Sequence, residues 1–178
     1  MAVHYNNETH KGYEQISGVF ESYSDFSNLL EALNLRGYGE ENLSILMSEN
    51  TRNQYFAPQE QTKAPEGATV GGLSGGLIGV IVGGLTLVGN IILPGSGLLV
   101  AGPLVGALTA GAVGAAAGSL IGSLVGAGIP EHEAKFFEEA INEKGRILVV
   151  AHIPKEETKE VRAVFERCNA GQLKVYAS

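Results

Sequence analysis

Two strand–helix–strand stretches lie at opposite ends of a 178-residue chain and are separated by 64 residues without a charge; together they predict an α+β protein. The two halves suggest a ferredoxin-like split βαβ sandwich, and the uncharged middle an inserted glycine-zipper helical hairpin. Glycine is the third observation, because 19 of the 25 glycines fall between Gly67 and Pro130. They lack the strict three-residue period of collagen. The Leu, Ile and Val around them argue against a disordered tail.

Residues 1–14 are polar and aperiodic, an N-terminal arm. The first half of the sandwich covers residues 15–57. Ile16, Gly18-Val19-Phe20 and Tyr23 read as a short strand, and Ser24 as a helix N-cap with Asp25 in the first turn. Phe26, Leu29, Leu30 and Leu33 recur at helical spacing until Gly37 stops the helix. Asn42–Met47 is the second strand. A polar linker with Pro58 and Pro65 then leads into the insertion, residues 67–130.

The second half covers residues 131–178. Pro130-Glu-His-Glu opens a charged amphipathic helix to about Lys144, whose Phe136, Phe137, Ala140 and Ile141 can pack inward. Arg146–Ala151 is a continuous apolar strand. Pro154 suits the first position of a helix, with Glu156 and Glu157 in its first turn and Val161, Val164 and Phe165 on its buried face. Gly171 ends that helix, and Leu173–Tyr176 is the last strand. The expected result is a four-stranded sheet with helices on one face.

In the insertion, Gly71, Gly75, Gly79 and Gly83 fall every four residues, as do Gly102, Gly106, Ala110, Gly114, Gly118, Gly122 and Gly126. Spacing of four keeps them on one slowly drifting helix face, where missing side chains let another backbone approach closely. Pro94, Gly95 and Gly97 break the segment near its middle, and Pro103 can start the second arm. The first arm, Val70–Leu93, has 24 residues and the second, Pro103–Ile129, has 27. The first would reach about 36 Å as a helix.

The first arm contains eight glycines. At about 1 kcal/mol each, roughly 8 kcal/mol of lost helix propensity cannot be borne by a helix standing alone in water. The arms must pack against each other, against a second copy, or in a bilayer. Leu77, Ile78, Ile81, Leu85, Leu104, Leu108, Leu120 and Leu124 are expected to remain as apolar surface, so the chain should self-associate or meet lipid. Either arm exceeds the ~20 residues needed to span a bilayer. The flanks, however, lack a Lys/Arg excess, and no Trp, Tyr or Phe belt occurs from Gly67 to Pro130. A homo-oligomer in water is therefore preferred to a membrane hairpin.

The run Leu93-Pro-Gly-Ser-Gly-Leu-Leu-Val-Ala-Gly-Pro103 is followed by Ala-Gly-Ala-Val-Gly-Ala-Ala-Ala-Gly at residues 110–118 and by Gly126-Ala-Gly-Ile-Pro-Glu131. Ala134-Lys-Phe-Phe-Glu-Glu comes next, while Gly18-Val-Phe and Gly37-Tyr38 lie upstream. Together these residues resemble the bacterial general stress proteins, whose heat- and low-temperature-induced members carry a glycine-rich central hairpin. The resemblance covers most of residues 16–151. It implies a stress-linked bacterial protein and brings no catalytic residues with it.

Charge and motifs exclude several functions. The net charge is −7, with no basic stripe to neutralise phosphates, so nucleic acid is not an expected partner. Gly71-Gly-Leu-Ser-Gly-Gly lacks the Lys-Ser/Thr ending of a phosphate loop. His132 with Glu131, Glu133 and Glu138 offers no second His or Cys on the same face, so no metal is expected. Cys168 is the only cysteine; Arg167 beside it could lower its pKa, but a half-buried small residue is the ordinary reading. No triad or nucleophile elbow appears, so neither enzyme nor cofactor is expected. Met1–Glu8 lacks a basic stretch followed by an apolar run, so the expected location is the cytoplasm. The alternative is the inner membrane, with both termini cytoplasmic.

Overall fold

The computed structural model describes residues 12–39, 41–55, 91–93, 98–104 and 120–177. The first half comprises β1 (Tyr13–Phe20), α1 (Tyr23–Asn34), β2 (Leu43–Ser48) and the short α2 (Glu49–Tyr55). Two short strands follow, β3 (Ile91–Leu93) and β4 (Leu98–Ala101), and then helices α3 (Leu120–Gly126) and α4 (Glu131–Asn142). The last half is β5 (Ile147–Pro154), a 3-10 turn (Lys155–Glu157), α5 (Thr158–Arg167) and β6 (Gly171–Ala177).

These strands make one sheet in the order β3-β4-β2-β5-β1-β6, with every neighbouring pair antiparallel. The α+β class expected from the sequence is the class observed. Among the strands of the two halves, β5 lies between β1 and β2, and β1 lies between β5 and β6. The two strand–helix–strand halves are thus interleaved. Leu43 to Met47 are buried without interruption, because β2 is a central strand covered on both faces.

One face is filled by α1 and α5. Phe26, Leu29, Leu30 and Leu33 of α1 and Val161, Val164 and Phe165 of α5 pack with Ile16, Phe20, Ile45 and Val149. Gly18 sits where Phe165 crosses β1: a Cβ there would lie 2.8 Å from Phe165 Cδ1, so the ring's seat requires glycine. The second face is also covered, contrary to the expectation of helices on one side only. Leu120 and Leu124 of α3, with Ala134, Phe137, Ala140 and Ile141 of α4, pack on Val19, Leu46, Val100, Leu148 and Val150. The cause lies in the strands themselves, which are apolar on both faces and need two covering layers.

Several boundaries move for local reasons. The polar arm ends earlier than residue 14, since Tyr13 and Glu14 already pair with β5. Ser22, not Ser24, caps α1: its hydroxyl accepts from the Ser24 N–H at 3.2 Å, and Tyr23 is helical. Gly37, at φ +88°, ends the helix as expected, with the Tyr38 N–H reaching back to the Leu33 carbonyl at 3.1 Å. Pro154 closes β5 rather than opening α5, and the two acidic residues after it form the 3-10 turn. Asn169, at φ +56°, supplies the left-handed residue after α5, a role expected of Gly171, which instead begins β6.

Candidate assembly surface

Where the uncharged segment is described, part of it joins the sheet. The first arm was expected to be helical to Leu93, yet Ile91–Leu93 is a strand paired with Leu98–Val100. The break at Pro94, Gly95 and Gly97 therefore lies between two strands; those three residues are themselves outside the described residues. β4 in turn pairs with β2 from Ile45↔Ala101 to Ser48↔Leu98 and so extends the sheet. β-branched Ile and Val and a four-residue apolar run suit a strand better than a glycine-poor helix end.

Gly102 corrects the zipper assignment. It follows β4 at φ +94°, outside any helix, and a Cβ on it would lie 2.2 Å from the Leu43 carbonyl oxygen and 2.8 Å from Ser44 Cα. Its glycine is needed for a left-handed turn made against the backbone of β2, not for pairing helices. Pro103 is exposed in that turn, and Leu104 after it is helical, in line with a helix start. The Leu104 N–H donates to the buried Ser44 hydroxyl at 3.1 Å, and its side chain is only 8% exposed. Leu104, Leu120 and Leu124, expected as apolar surface, are thus part of the second layer. Leu104 and Leu120, the described residues on either side of 105–119 in the sequence, both belong to that layer.

On α3 the two residue types separate. Leu120 and Leu124 face the sheet, while Gly122, Val125 and Gly126 lie on the exposed side. Val125 is 43% exposed, and a Cβ built on Gly126 meets no atom within 4 Å. Gly122 and Gly126, four residues apart, are thus both exposed on α3. The other expected packing positions, Gly71, Gly75, Gly79, Gly83, Gly106, Gly114 and Gly118, lie outside the described residues.

The base of this surface is held firmly. The Ile129 N–H bonds the Leu124 carbonyl at 2.9 Å around Gly128, at φ +92°, which closes α3 and turns the chain into α4. Gln15 Nε2 of β1 donates to the Ala127 carbonyl at 3.3 Å. The Tyr176 hydroxyl of β6 donates to the Glu133 carboxylate of α4, and Lys174 Nζ lies 3.3 Å from the same carboxylate. His132 Nε2 is 3.7 Å from it. Glu133 is thus an anchor for α4; among the described residues no group of three ligating side chains converges. Glu131 pairs with Lys135 at 2.8 Å, one turn along, and that bond holds its carboxyl below the usual range.

Burial, and then the bond to Glu133, push the Tyr176 phenol well above its ordinary value. The folded chain consequently holds this proton more tightly than the unfolded chain does. That stabilisation is complete below about pH 10, where an unfolded tyrosine titrates, and is lost as pH climbs through the raised folded value. Stability should therefore fall less steeply above about pH 10 in Tyr176→Phe than in the unaltered chain. Chemical denaturation followed by circular dichroism across that range checks this, and parallel declines would contradict it. Cys168 goes the other way from the expectation for a reactive thiol: burial raises its pKa, and the neighbouring Arg167 only partly offsets this.

The sequence reading of Gly126-x-Gly128 before Pro130 as a helix end and restart agrees with the close of α3 and start of α4, while sequence reasoning missed the Tyr176–Glu133 anchor and the second-layer role of α4. The recurrence of Ala134, Phe137, Ala140 and Ile141 at helical spacings of three and four carried that last signal. Among the described residues no helix is long and apolar enough to cross a membrane. No family model, curated protein or solved structure matches the chain.

Proposed function

We propose that this chain is a non-enzymatic, stress-associated bacterial protein that self-assembles through its glycine-zipper insertion into a homo-oligomer or filament, on a ferredoxin-like base. The observation that carries this reading is α3, where Leu120 and Leu124 pack on the sheet while Gly122 and Gly126, four residues apart, are exposed. Small residues at that spacing let a second backbone approach closely. Its partner is a second copy of the chain, in the cytoplasm. The acidic net charge of −7 gives nucleic acid no purchase.

The alternative is a hairpin inserted in the inner membrane, and 64 uncharged residues favour it. Against it for the second arm, Leu104 and Leu120 are both engaged on the sheet, with residues 105–119 between them. That stretch would reach only about 22 Å as a helix, short of a ~30 Å hydrocarbon layer. Carbonate extraction of membranes separates the two readings.

The decisive variant is Gly114→Leu combined with Gly118→Leu. Light scattering should show the assembly dissociating, because side chains at these positions hold two backbones apart. The thermal melt of the sheet domain should stay within a few degrees, since surface changes away from packed features cost about 0.5 kcal/mol or less. Assembly of the variant at unchanged mass would refute the zipper as its cause.

A further inference from the structure

We draw no further inference here: the strongest candidate, the side-chain cluster of Ser17, Tyr176, Lys174 and Glu133 where β6 meets the first turn of α4, belongs to the anchor already described, and nothing in its geometry points to a ligand.

Discussion

Replacing Gly102 with alanine is expected to cost the fold roughly 2–5 kcal/mol, a large fraction of the about 5–15 kcal/mol by which an ordinary domain is stable. Two effects add. A left-handed backbone costs a residue with a Cβ about 1–2 kcal/mol. The methyl would also lie 2.2 Å from the Leu43 carbonyl oxygen, where main chain and not a flexible side chain must give way. Overpacking of this kind adds about 1–3 kcal/mol. Because β2 is the strand displaced, the damage should spread to β4 on one side and β5 on the other. Urea denaturation followed by far-ultraviolet circular dichroism, at fixed protein concentration, measures it. Gly126→Ala is the matched control: a Cβ there meets nothing within 4 Å, so it should cost nothing or stabilise slightly. If the two variants are equally stable, the turn at Gly102 is not the anchor described.

Truncating Phe137 to alanine should cost about 3–5 kcal/mol. Its ring is 1% exposed and sits between α4 and the face of the sheet formed by Val19, Leu46 and Leu148. Phe136, its neighbour in sequence, is only partly buried against the same layer, so Phe136→Ala should cost much less. The contrast matters because α4 directly follows the uncharged segment and holds its end in place. Loss of Phe137 should loosen α3 as well, and amide exchange at Leu120–Gly126 should quicken along with that of α4. Equal costs at 136 and 137 would mean that the second layer is not packed as described.

Much of this architecture was readable in the residues. The spacing of Phe26, Leu29, Leu30 and Leu33, and of Val161, Val164 and Phe165, identified α1, α5 and their buried faces, because tertiary burial and helical period agree there. Caps were read one or two positions off, since Ser22 and Ser24 are chemically equivalent candidates and only the strand end at Phe20 decides between them. The larger miss was treating the uncharged segment as one unit. Gly102 stands four residues before Gly106 and so fits the zipper period, yet its conformation answers to the backbone of β2, a contact distant in sequence. Ile91–Leu93 and Leu98–Ala101 are too short for periodicity to separate strand from buried helix. The outward placement of Gly122 and Gly126 was implicit in the spacing. Which side the leucines would take was not, because that depends on a sheet face that exists only once both halves are folded.

On the self-assembly reading proposed above, the chain associates with itself in water without lipid. Size-exclusion chromatography with light scattering, on the full chain in detergent-free buffer, tests this directly. The expected result is a homogeneous species of at least twice the 18.6 kDa chain mass that persists on dilution. A stable, well-folded monomer at every concentration would contradict it.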